Sequence, residues 1–260
     1  MSTPEIVVHA DKELLARAVA ARLVTRLVDV QASRGTASVV LTGGGIGTGV
    51  LAALAESPAR DAIDWRQLSV WWGDERFLPS GDPERNETSA RAALLDHVPV
   101  DPARVHPMGA TDGPDGKDAE AAANRYAEEL AAAVRTEDHG PVPRFDVLML
   151  GVGPDGHVAS MFPEHPGVHE DQRQVVAVHG SPKPPPTRLS LTFPALNAAR
   201  EVWFLVSGEE KAGAVRLALG GAGPVQIPAT GVRGQQRILW LLDRAAAKEL
   251  PPDLTRPGSR

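Results

Sequence analysis

Cysteine is absent from all 260 residues of the chain. That excludes disulfides, thiol nucleophiles and thiolate metal sites, and it fits a reducing compartment. Aromatic residues are scarce at 4% and net charge is −6. No cluster of Lys and Arg is interleaved with those aromatics, so a nucleic-acid footprint is not indicated. Long apolar runs are missing too, and none approaches membrane-spanning length. The opening MSTPEIVVHADKELLARAV places acidic residues where a signal peptide needs a basic start and an uninterrupted apolar core. A soluble, cytoplasmic protein with neither nucleic-acid nor membrane partners is expected. Nor does a Gly-x-Ser-x-Gly elbow follow a strand: the nearest approach, QASRG at 31–35, precedes one. Covalent serine catalysis is therefore not expected.

What is present is an apolar fraction of 42%, ample for a core, arranged with a regular alternation. Short β-rich runs at Ile6–His9, Ser38–Thr42, Leu68–Trp72, Phe145–Leu150, Gln174–Val178, Arg188–Thr192, Glu201–Val206 and Ile238–Leu242 are separated by Ala- and Leu-rich amphipathic segments. The predicted helices are Asp11–Gln31, Gly47–Glu56, Glu87–Asp96, Asp118–Val134, Glu209–Leu219 and Asp243–Leu250, with Asp11 and Asp243 as N-caps. This is the pattern of an α/β fold: a mainly parallel, Rossmann-like sheet with helices on both faces. No repeat or low-complexity block interrupts it, and the proline-rich HGPVPR and HGSPKPPPT are short enough to be loops. One domain over residues 1–260 is expected. In such sheets ligands sit outside the carboxyl ends of the strands, so the loops after Thr42, Trp72, Leu150 and Val206 should converge on one crevice.

Those loops carry the unusual residues. TGGGIGTGVL places Gly43, Gly44 and Gly45 after a strand, where backbone N–H groups at a helix N-terminus can cradle an anion. No Gly-Lys-Ser/Thr follows, which excludes a Walker loop; a tight turn with glycines for packing alone is the plainer alternative. WWGDERFLPSGDPERNE runs a strand straight into Asp74, Glu75 and Arg76. An arginine there suits an anionic oxygen cluster, with the acids holding it in place, against the alternative of a solvated loop with local ion pairs.

MLGVGPDGHVASMFP, at 149–163, reads in two ways. Gly151, Gly153 and Gly156 spell Gly-x-Gly-x-x-Gly, but the stretch lies mid-chain, and the acids about 20 positions on fall in an apparent loop rather than at the end of the next strand. As a catalytic turn, stiffened by Pro154, it aims Asp155 and His157 into the crevice as carboxylate and imidazole. The turn's N–H groups, with Ser160 just beyond, are placed to stabilise an oxyanion. Further on, Arg188 opens a strand, and Lys211 stands in the first turn of a helix. A lysine there opposes the helix dipole, a placement that a bound anion explains. The histidines His157, His165, His169 and His179 lack the helical HExxH pattern and read as loop residues.

Together LTGGGIGTGVL, WWGDERFLPSGDPERNE, LMLGVGPDGHVASMFP and RLSLTFPALNAAREVWFLVSGEEKAGAV resemble the 6-phosphogluconolactonases of the glucosamine-6-phosphate isomerase/6-phosphogluconolactonase family, in the same order and over nearly the whole chain. The resemblance implies hydrolysis of 6-phospho-D-glucono-1,5-lactone to 6-phosphogluconate, the second step of the oxidative pentose phosphate pathway, on a sheet related to the glucosamine-6-phosphate deaminases. It implies no metal or organic cofactor, a small-molecule phosphosugar lactone as partner, and a monomer or weak homo-oligomer. Carried over by motif, His157 is the base that activates water, Asp155 its neighbour, and Arg76 a substrate or transition-state group. Arg188 and Lys211 are the phosphate ligands, with Thr42, Gly43, Gly44, Gly45, Asp74 and Ser160 completing the binding set. The chain departs from the family in its glycine loop, where many relatives carry Gly-Gly-Ser-Thr-Pro. Deaminase relatives carry a glutamate five residues after the histidine, where this chain has Phe162, and a different residue after the Asp-Glu pair. A phosphosugar deaminase and a non-catalytic phosphosugar sensor are the rival expectations.

Overall fold

Strands that read as near-continuous apolar runs, buried on both faces, require a covered sheet, and the computed structural model, which describes residues 3–255, supplies one. Strands β1 (Glu5–His9), β2 (Ala37–Leu41), β3 (Leu68–Trp72), β5 (Val147–Gly151), β8 (Glu201–Val206) and β9 (Arg237–Asp243) form a six-stranded sheet in the order β1-β9-β8-β5-β2-β3. Every pairing in it is parallel. One face, with Val40, Leu148, Leu150, Phe204 and Trp240, packs against α4 (Ala119–Ala132), the short α5 (Phe193–Leu196) and α6 (Ala212–Leu219). The other, with Val39, Leu41, Met149, Trp203 and Leu241, packs against α1 (Lys12–Arg34), α2 (Gly44–Glu56) and α3 (Asn86–Ala93). The predicted α/β architecture with helices on both faces is present.

Four local expectations need correction. The runs at 174–178 and 188–192 do not join the main sheet: β6 (Val175–Val178) and β7 (Arg188–Leu191) pair antiparallel in a separate three-stranded sheet. Its third strand is β4 (Asp74–Arg76), which the sequence reads as a loop. Leu189 and Leu191 still enter the core shared with α4, so the small sheet stands against the large one and brings the D-E-R segment beside Arg188. The third correction is at 243–250, where turns replace the predicted helix. Only a short stretch separates β9 from Pro251 and Pro252, and a residue before proline is driven out of the helical region. Asp243 nevertheless caps the first turn, accepting from Ala246 N at 2.8 Å, and it also binds Ser207 Oγ at 2.6 Å. Finally, α2 starts at Gly44 rather than at Gly47. Asp11 is the N-cap expected for α1, accepting from Leu14 N at 2.8 Å.

Candidate functional site

The loops at the carboxyl ends of β1, β2, β5 and β8 meet the edge of the small sheet around a cavity of about 390 Å³. The glycine loop forms one wall. Gly43 is the N-cap of α2 and no side chain caps that helix, so N–H groups of its first turn are left for a ligand. Gly43 itself has no room for a side chain, since a Cβ there would lie 1.8 Å from Asn86 Oδ1. Thr42, Gly44 and Gly45 line the cavity with it, and Thr42 Oγ1 accepts from Gly151 N at 3.1 Å, tying the glycine loop to the end of β5.

Each letter of the D-E-R strand has a separate task. Asp74 is buried, accepts from Ser160 Oγ at 2.7 Å and faces Arg188 at 3.9 Å. Glu75 is fully buried and points away from the cavity. Its carboxylate accepts from the backbone N–H groups of Arg76, Asn86 and Glu87, so it caps α3 from a neighbouring strand. Burial pushes the Glu75 carboxyl up to about 7, against the lowering pull of Arg85 and the three N–H donors. Arg76 lines the cavity, held by Glu84 O at 2.7 Å and Asn86 Oδ1 at 2.8 Å. The expectation that the adjacent acids hold Arg76 is thus corrected: Asn86 and a backbone carbonyl do so. Arg76 Nε is buried with no hydrogen-bond partner.

The 153–157 turn is closed by Gly153 N donating to His157 O and Gly156 N donating to Gly153 O, both at 2.9 Å. Inside it, His157 Nδ1 lies 2.5 Å from Asp155 Oδ1. Gly153 is obligatory here, because a Cβ would come within 2.0 Å of His157 Nδ1 and 2.3 Å of Asp155 Oδ1. Burial acts to raise the Asp155 carboxyl, but the His157 hydrogen bond and the charges of His157 and Lys183 hold it well below the usual carboxylate range. An ionised Asp155 accepts the Nδ1 proton and leaves the Nε2 lone pair of the ring free. Two expectations change. The turn's N–H groups at Gly153 and Gly156 are spent within it, so they are not oxyanion donors. Ser160 does not line the cavity: it is fully buried, and its hydroxyl anchors Asp74.

Arg188 lines the cavity while Nη2 donates to Lys183 O at 3.1 Å and Pro184 O at 3.0 Å, so it also fastens the 183–185 loop. Lys211 stands at the N-cap of α6, its Nζ 3.6 Å from Glu210. Lys12, Lys183 and Asn86 also line the cavity and were not singled out in the sequence. Lys12 had a usable signal, since it is a first-turn lysine like Lys211. Lys183 sits in a proline-rich loop without periodicity and had none. In all, five cations, Lys12, Arg76, Lys183, Arg188 and Lys211, line the cavity with two acids, Asp74 and Glu210, and Asp155 lies 3.6 Å from Lys183, in a chain whose net charge is −6. Such a concentration of positive charge is suited to an anionic ligand. Among the described residues no group of three or more His, Asp or Glu side chains converges as a metal site.

A parallel sheet with an Asp–His pair and a cationic, glycine-lined cavity at its carboxyl end defines an α/β protein with a site suited to an anionic ligand. A family model described as glucosamine-6-phosphate isomerases/6-phosphogluconolactonase matches residues 10–240, and the chain belongs to that family. It is 68% identical to a 6-phosphogluconolactonase of Streptomyces coelicolor, over 99% of this chain and 98% of that protein. With a 6-phosphogluconolactonase of Mycobacterium tuberculosis it shares 50% identity, over 95% of this chain and 98% of the relative. Among solved structures it is similar to 6-phosphogluconolactonase from Trypanosoma brucei, with a TM-score of 0.82 and 29% identity, covering 96% of this chain and all, 100%, of the other. A monomeric glucosamine-6-phosphate deaminase shares the fold, with a TM-score of 0.76 at 21% identity over 94% and 99% of the two chains.

Proposed function

We propose that this cavity hydrolyses 6-phospho-D-glucono-1,5-lactone to 6-phospho-D-gluconate, the second step of the oxidative pentose phosphate pathway, by general-base activation of water and without a covalent intermediate. The observation that carries the reading is the Asp155–His157 pair opening into a cavity of five cations and two carboxylates. Phosphate is held by the α2 N-terminus with Arg188 and Lys211, which fixes the ring so that C1 faces His157 and converts remote binding energy into orientation. His157 Nε2 takes a proton from water as its oxygen bonds to C1. Arg76, whose side chain lines the cavity, stabilises the tetrahedral oxyanion. When the bond from C1 to the ring oxygen breaks, the imidazolium returns its proton to that oxygen. Asp155 keeps the ring in the productive tautomer throughout.

Deaminase chemistry is disfavoured by Phe162. It is buried and packs against the His157 ring, with centroids 4.6 Å apart, where the deaminase relatives carry a glutamate. A sensor that only bound phosphosugars would need neither Asp155 nor His157. The test is hydrolysis of freshly generated 6-phosphogluconolactone by wild type and His157→Ala, with spontaneous opening subtracted. Wild-type turnover should fall by roughly 10²–10⁴-fold in the variant while affinity for 6-phosphogluconate is kept. Unchanged turnover removes His157 from the mechanism, and a wild type no faster than the spontaneous reaction removes the lactonase reading.

A further inference from the structure

Lys183 stands at the catalytic pair without a part in the scheme above. Its Nζ is 3.3 Å from His157 Nδ1 and 3.6 Å from Asp155 Oδ1. An ammonium has no lone pair to accept the Nδ1 proton, which is already donated to Asp155, so the lysine's contact with the ring is electrostatic and its polar partner is the carboxylate. The backbone at Lys183 is fastened independently of the side chain: Ser181 Oγ and Arg188 Nη2 both donate to Lys183 O, at 2.8 and 3.1 Å. The ammonium is therefore delivered to the Nδ1 side of the imidazole, leaving Nε2 to water.

We infer that Lys183 is a positioning residue that holds His157 in its free-base form by placing a positive charge beside the ring and offsetting the charge of Asp155. The inference rests on the general-base reading of His157. The carboxylate and the ammonium flank the same side of the ring and act on its charge in opposite senses. Burial lowers the Lys183 ammonium from its ordinary value, Asp155 pulls it back up, and Lys211 and Arg188 lower it again. The remaining charges on the cavity wall are Arg76 and Asp74 from β4, Lys12 from α1, and Glu210 beside Lys211. They are common to wild type and variants, so a change at residue 183 isolates its own contribution.

Two readouts on Lys183→Met and Lys183→Arg test this. One is the acid limb of kcat/KM for 6-phosphogluconolactone; the other is the titration midpoint of the His157 ring protons by NMR, which needs no turnover. In Lys183→Met both should move upward by about one pH unit, and Lys183→Arg should restore most of the shift. A midpoint that stays put in Lys183→Met overturns the inference, and if KM for the phosphorylated lactone alone has risen, Lys183 is a phosphate ligand instead. A midpoint that moves while the acid limb does not follow leaves the effect of Lys183 on the ring standing, and overturns the general-base reading.

Discussion

The two ends of the six-stranded sheet both collect charge, and they treat it in opposite ways. At the amino end, Asp146 is almost fully buried and is surrounded by Arg34, Arg200 at 3.4 Å, and Ser38 N and Oγ at 2.9 and 3.2 Å. Arg26 pairs with Glu201 there at 2.9 Å. Each carboxylate has its cations, and no ligand is needed. At the carboxyl end Lys12, Arg76, Lys183, Arg188 and Lys211 line one cavity, with only Asp74 and Glu210 among its lining residues and Asp155 beside Lys183. Charge that is matched builds the fold; charge left unmatched in a cavity waits for something that is not protein.

Substitutions at the two ends should therefore fail differently. Asp146→Ala strands two arginines that lie mostly inside, and should destabilise by about 3 kcal/mol or more, read by chemical denaturation. Activity per folded molecule should be unchanged, and a selective loss of activity would break the contrast. Gly153→Ala should do the reverse. Its Cβ collides with both members of the Asp155–His157 pair, and a displacement of about 1 Å there should lower kcat by roughly 100-fold. Folding cooperativity should be nearly kept, and a variant with wild-type kcat would show that the pair geometry is not the source of turnover.

Much of this was legible in the sequence because it was written in period and position. The six parallel strands alternate apolar residues toward two helical layers, and the glycine loop, D-E-R and Asp–His turn each follow a strand, so their convergence follows from the fold class alone. Other parts were illegible for physical reasons. Three residues, Asp74–Arg76, are too few to show a strand period, so β4 and its pairing with Arg188 could not be read. Ser160 looks like a site hydroxyl in the linear motif, yet it turns inward to Asp74, a contact between residues 86 positions apart. Asn86 and Lys183 reach the cavity through tertiary packing, and nothing in their neighbours announces it. The helix expected at 243–250 rested on alanine propensity, which the following prolines override.

The central claim is that the unmatched positive charge at the carboxyl end reads a phosphate on a lactone. The most direct measurement is the ratio of kcat/KM for phosphorylated over unphosphorylated gluconolactone, in wild type and in Lys211→Ala. Lys211 pairs only loosely with Glu210, at 3.6 Å, so its removal should disturb little else. The ratio should fall by about tenfold, worth about 1.4 kcal/mol, through a higher KM for the phosphorylated substrate alone. Equal losses on both lactones, or none on either, would contradict a phosphate site at this end of the sheet.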